Sequence, residues 1–393
     1  MTQSYDYNNT AELKTLIQTA LTASKLQANL NSSTRMPATQ HPSFPAQAWK
    51  SLAQDKLLRY FLPDIDNPDT PSAQLPYRHI ALAGYQMTRH HHSLGLTMTW
   101  LGQLLKCHFL HSLDCSDRGY LQSILNGDSL CALAISEPGA GAHPKHLNCI
   151  AIKEGNNFII NGEKSFVSHG PYADGFIVLA ITAQTNGRKS YSAFLIPATT
   201  PGLQRRPAHP VKGLQPSSHC NIVFNNCRIS ADTLIGTTGQ AFSQISLPMR
   251  TLEDSLMLAP IAGAMQAQLD YLAQADTSHN EPFDRQQIGE LLSLTESAKE
   301  LGIITASKLD QHGDLPDLTP FIIGFRSLVE QVQTILLQWH DEYPGLRELA
   351  GDIQLLSTIG RQATAVRTAS LADRFFAEQL EKGKRHTASN NCF

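Results

Sequence analysis

The stretch LCALAISEPGAGAHPKHLNCIAIKEGNNFIINGEKSFVSHG, residues 130–170, decides how the rest of the chain is read. A short apolar run ends at Ser136 and breaks into Glu137-Pro138-Gly139-Ala140-Gly141-Ala142. A loop with so little side chain lets a planar or charged group approach the backbone closely. A strand-like alternation from Cys149 to Lys153 follows, then a turn at Gly155-Asn156-Asn157 and a second strand from Phe158 to Ile160 that closes on Asn161-Gly162. Phe166-Val167-Ser168 forms another short strand.

Outward from this hairpin grammar the period changes on both sides. Upstream, Leu13, Leu16, Ile17 and Leu21 predict an amphipathic helix over 11–30, and a polar loop fills 31–47. A helical segment from Leu57 to Phe61 and a proline-rich loop over 64–76 come next, and a longer helix is predicted over 79–113. His90-His91-His92 lies in that helix, where three consecutive side chains point about 100° apart and cannot converge on one ion, so no metal is expected. Downstream, 176–182, 190–196 and 222–224 read as further strands, and beyond Gln240 the spacing turns helical over 248–275, 284–312, 318–341 and 346–380. The pattern predicts an α+β chain: an N-terminal helical domain over 1–128, a middle β-barrel-like domain over 129–240 and a C-terminal four-helix bundle over 241–393.

Lys+Arg 31 against Asp+Glu 34 gives a net charge of −3, which implies no face for a polyanion, so nucleic acid is not an expected partner. The 7 cysteines contain no CxxC pair and several sit inside apolar runs, as small core side chains do in a reducing compartment. The N-terminus is polar and lacks a basic-then-apolar signal, and no run reaches the ~18 apolar residues of a membrane span. A cytoplasmic protein without a membrane span is the expectation.

Ser136 to Gly141, then Asn161-Gly162-Glu163-Lys164 and Phe166-Val167-Ser168, resemble the acyl-CoA dehydrogenase family. Its middle β domain carries a Thr/Ser-Glu-Pro-Gly-Ala-Gly loop, an Asn-Gly-x-Lys segment and a Trp/Phe-x-Thr/Ser triplet. Two such motifs in register, about twenty-five residues apart, are far more specific than either alone. The resemblance continues through Lys212-Gly213-Leu214, Ile222-Val223-Phe224, Leu234-Ile235-Gly236 and Gly239-Gln240-Ala241-Phe242, and covers roughly 81–286.

The resemblance implies an oxidoreductase that holds FAD and oxidises the α,β bond of an acyl-CoA, a carboxylate base taking the α-proton while hydride passes to flavin N5. It also implies an electron-transfer acceptor protein and a homodimer or homotetramer. By position, Leu133 and Ile135 are backbone contacts to the flavin, Ser136 is a hydroxyl to its N1/O2 side, Phe166 covers the ring edge and Ser168 hydrogen-bonds near N5. Gly141 and Ala142 fall by the phosphates or the pantetheine, with Ala142 in place of the usual serine. Counting back from Gly263-Ala264-Met265-Gln266 places the base at Glu253, for which a surface pair with Arg250 is the plain alternative. The chain departs from the family pattern further on as well: Asp254 and Ala275 stand where arginines are usual and Ser278-His279 where Phe-Gly is usual, and with no arginine at Ala275 to reach the pyrophosphate FAD is expected to be held weakly. A flavin-dependent monooxygenase of the same fold, which needs no glutamate base, and a non-catalytic acyl-CoA-binding paralogue are the other readings.

Overall fold

The computed structural model describes residues 44, 46–54, 57–62, 65, 75–208, 212–276, 283–311, 316–359 and 361–390, and the helix expected over 11–30 lies outside them, as do Ser278 and His279. Among the described residues α1 (Ala46–Gln54), α2 (Tyr77–His91), α3 (Leu94–Ser112) and α4 (Arg118–Leu125) precede the strands. The segment expected as one helix over 79–113 is two. His92 takes left-handed backbone at φ 52 and ends α2, and the Ser93 hydroxyl caps α3 by accepting from the Leu96 N–H at 3.2 Å. Asp117 starts α4 the same way, accepting from the Tyr120 N–H at 2.9 Å.

Eight strands follow: β1 (Cys131–Ala134), β2 (Ile150–Glu154), β3 (Asn157–Ser168), β4 (Gly175–Thr185), β5 (Arg188–Pro197), β6 (Leu203–Pro207), β7 (His219–Ser230) and β8 (Leu234–Ile235). They form one sheet in the order β6-β7-β3-β2-β4-β5-β8, with β1 paired to β4 off that path. The sheet is not closed, which corrects the barrel-like expectation: its ends are β6, which finishes on Pro207 with no N–H to donate, and β8, which is two residues long. Alternation in sequence marks strands but is the same in open and closed sheets.

The two faces of the sheet enter different cores. Ile177, Leu179 and Leu195 pack into one that they share with the helices, while Phe176, Val178, Phe194 and Ile196 belong to a second built from strand residues and the loops beside them. Strand periodicity of two produces this split directly.

A π-helical turn, Phe242–Ser246, leads into α5 (Leu247–Leu256), followed by α6 (Leu258–Asp276), α7 (Arg285–Asp310), α8 (Thr319–Leu336), α9 (Leu346–Thr358) and α10 (Arg361–Asn390). Six helices therefore stand where four are predicted. Pro260 has no N–H for the Leu256 carbonyl, which separates α5 from α6 at Met257, and extended backbone at Ile359 ends α9. These helices share a core with those before the sheet, from Trp49 on α1 to Ile353 on α9, and α2 packs against α6 and α7. The α2–α6 approach needs two glycines: a Cβ on Gly84 would lie 2.8 Å from the Pro260 ring, and one on Gly263 would overlap the Tyr85 carbonyl. Among the described residues no helix is long and apolar enough to cross a membrane.

Candidate functional site

β1 pairs with β4 in parallel, from Cys131 opposite Gly175 to Ala134 opposite Val178. The even positions face β4: the Leu130 carbonyl accepts from the Asp174 N–H at 2.8 Å, and the Leu130 N–H donates to the Asp174 carboxylate at 2.9 Å. The odd positions face away, since the Gln103 amide on α3 brackets Cys131, donating to its carbonyl at 2.9 Å and accepting from its N–H at 3.0 Å. By the two-residue repeat, the backbone groups of Leu133 and Ile135 point to that same edge. The Ile135 carbonyl there accepts from Lys164 Nζ at 3.1 Å.

The glycine-rich loop is anchored by a buried ion pair. Lys164 is fully buried and donates to Glu137 at 2.8 Å, and the same carboxylate accepts from the N–H groups of Asn148 at 2.6 Å and Cys149 at 3.0 Å. With its oxygens so engaged, Glu137 shapes the loop and is not a free base. Above it Gly139 and Gly141 have φ of 71° and 55°, and a Cβ on either would meet nothing within 4 Å, so their backbone opens onto space. Gly141 and Ala142 are exposed. The Ser136 carbonyl accepts from the Ser165 N–H at 2.8 Å, tying the end of β1 to β3, while the half-buried Ser136 hydroxyl has no hydrogen bond among the described residues.

Between Lys164 and Val167 the pairing of β3 with β7 slips, and the bulge re-aims Phe166. Phe166 has φ 53° and is 54% exposed, a costly setting for an aromatic side chain unless something covers it. Ser168 Oγ lies 3.0 Å from Nε2 of His219 on β7. The neighbouring His169 is buried, with Nε2 2.9 Å from the Thr99 hydroxyl on α3. Burial pushes both imidazoles down, so they are neutral near pH 7. Ser165 Oγ and the Nδ1 atoms of His169 and His219 are buried without a partner. A buried polar atom without a partner is a place where a bound group or a water can supply the missing bond.

Glu253 projects from α5. Its side chain is exposed, yet surrounding protein desolvates it and pushes the carboxyl up to about 7, with Lys106 opposing the shift and the Asp254 carboxylate adding to it. The alternative pairing is not formed: Arg250 lies 3.9 Å from Asp254, which also takes Arg367 of α10 at 3.1 Å, and Glu253 has no ion pair among the described residues. Asp254 is thus paired from its own helix and from α10, with Arg326 of α8 also within electrostatic reach. Ala275 is half-buried near the end of α6 and packs on the main core.

Lys106 on α3 links Glu253 to the strands, since its charge acts on Glu253, Cys131 and His169. Lys106, His169 and His219 were not legible as site residues. A usable signal was present for the first: Thr99, Gly102, Gln103 and Lys106 fall at i, i+3, i+4 and i+7, a polar stripe on an otherwise apolar buried helix. Among the described residues no group of three His, Cys, Asp or Glu side chains could hold a metal ion.

The family model described as "Acyl-CoA dehydrogenase, middle domain" matches residues 132–227, the span that carries the loop, the Glu137–Lys164 pair and the bulge. In this domain the chain is similar to the acyl-CoA dehydrogenase family. Short-chain specific acyl-CoA dehydrogenase of Rattus norvegicus is 29% identical over 234 residues, 58% of this chain and 54% of that protein. The chain therefore spans about half the length of such curated relatives. Two solved structures share the fold over nearly the whole chain. Butyryl-CoA dehydrogenase from Megasphaera elsdenii superposes with a TM-score of 0.73 at 18% identity, covering 91% of this chain and 98% of that one. The FAD complex of PigA superposes with 0.76 at 21% identity, covering 94% and 100%.

Proposed function

We propose that the chain is an FAD-dependent acyl-CoA dehydrogenase with Glu253 as the base that removes the α-proton of an acyl thioester. The observation that carries it is a desolvated carboxyl pushed up to about 7 that makes no ion pair among the described residues, with Lys106 acting both on it and on Cys131 of β1. When bound, FAD supplies the two-electron acceptor for the bond being oxidised. The residues fit such a group: the backbone of Leu133 and Ile135 and the hydroxyls of Ser136 and Ser168 offer polar contacts to a heterocycle, and the bulge presents Phe166 for its ring edge. Gly141 and Ala142, free of side-chain obstruction, would lie by its phosphates or the thioester's pantetheine. A homodimer or homotetramer, an electron-transfer acceptor protein and a cytoplasmic location belong to the same proposal.

Glu253 receives the proton and holds it, with Lys106 as the cation whose charge acts on it. Proton abstraction needs the carboxylate form, so the rate should rise with pH through about 7, falling tenfold per pH unit well below it. Exchange of the α-proton of an acyl-CoA for solvent deuterium, followed by NMR across pH 5 to 9, reads this directly. A flat profile, or an inflection near 4.5, would remove Glu253 from the role.

A further inference from the structure

Lys106 sits on α3 with 4% exposure, and no hydrogen bond or ion pair reaches it among the described residues. Its chain runs back along the helix so that a Cβ on Gly102 would come within 3.3 Å of Nζ, and glycine is what leaves the ammonium its room. The groups around it cannot serve as its counter-ion. Gln103 is committed to both backbone groups of Cys131. Burial pushes the Cys107 thiol up and the Cys131 thiol up to about 11, so both stay protonated, and it pushes His169 down. Glu253 is the carboxylate whose charge acts on Lys106, but the two do not come within an ion-pair distance.

A buried ammonium with no partner is strongly unfavourable, and burial correspondingly lowers the Lys106 pKa. An arriving anion would favour the charged form and turn that cost into attraction. Glu253, whose charge acts on Lys106, marks the direction from which such an anion would arrive.

We propose that the acyl group taken up beside Glu253 carries its own carboxylate, and that Lys106 pairs with it and so determines specificity. This rests on the acyl-CoA reading of the site. The substrate class is a dicarboxylic acid held as a monothioester, with the thioester toward Glu253 and the free carboxylate at Lys106. Lys106 touches the substrate but takes no part in proton removal.

The test uses FAD-loaded protein and CoA thioethers, which bind but lack the acidic α-proton, with alkyl chains of four to eight carbons, each plain or ending in a carboxylate. Calorimetry should show the carboxylate form binding about 10- to 100-fold more tightly at the best length, the worth of one charge-assisted hydrogen bond, and Lys106→Met should erase that preference. Plain chains binding as tightly as their carboxylate partners at every length overturn the proposal, and so does a preference that survives Lys106→Met. The wild-type comparison stands by itself if the variant fails to fold. Flavin reduction by the matching thioesters separates this from the parent reading. Reduction by plain acyl-CoA with no carboxylate preference sinks the role of Lys106 alone. A Lys106-dependent preference with no thioester reducing the flavin sinks the dehydrogenase and leaves Lys106 as an anion-binding residue.

Discussion

Replacing Glu253 with glutamine is expected to slow acyl-CoA-driven reduction of the bound flavin by about 10²- to 10⁴-fold, the usual worth of a positioned base. Glutamine keeps the size and a hydrogen-bonding head but cannot accept the proton. The folded state should lose nothing, since Glu253 makes no ion pair among the described residues and removing a desolvated carboxyl relieves a cost. The spectrum of bound FAD should also be unchanged, because the proposed ring contacts come from β1 and β3 and not from α5. Stopped-flow absorbance of both proteins under anaerobic conditions measures the ratio. A variant within a few-fold of wild type would place the base elsewhere.

Lys164→Ala carries the second large effect, and it falls on the fold. The substitution leaves the Glu137 carboxylate buried at 6% exposure with its ammonium partner gone, although the Asn148 and Cys149 N–H groups still reach it. Removing one member of a buried pair costs about 3–5 kcal/mol. Lys50→Ala provides the contrast: its pair with Asp128 is about half exposed on both sides, and such pairs contribute roughly 0–1 kcal/mol. Urea denaturation of the two variants should therefore differ several-fold in lost stability. If Lys164→Ala costs no more than Lys50→Ala, the glycine-rich loop is held by its backbone bonds alone.

Local pattern carried far in this chain and stopped where distant segments meet. The change from period two to period 3.6 placed the strands and helices, and the motifs at Glu137 and Lys164 marked the loop and the strand, while the buried pair that joins them came only with the structure. Closure of the sheet depends on which edges find partners, and nothing in the alternation of Leu203 to Pro207 says that β6 will be left as an end. One helix over 248–275 was expected because its apolar spacing runs unbroken, while Pro260 interrupts the hydrogen bonds and not the spacing. Ser168 and His219 are 51 residues apart and meet only because β3 and β7 pair. Asp254 read as a lost cation at one position, and its partner Arg367 arrives from a helix 113 residues later.

The claim that the Glu253 site oxidises acyl-CoA is tested most directly by mixing FAD-loaded protein, without oxygen, with a panel of saturated plain and ω-carboxy acyl-CoA thioesters while the flavin absorbance near 450 nm is followed. A dehydrogenase loses that absorbance with at least one of them and forms the α,β-unsaturated thioester in equal amount. Flavin that stays oxidised with every thioester, in protein shown to bind them, would contradict it.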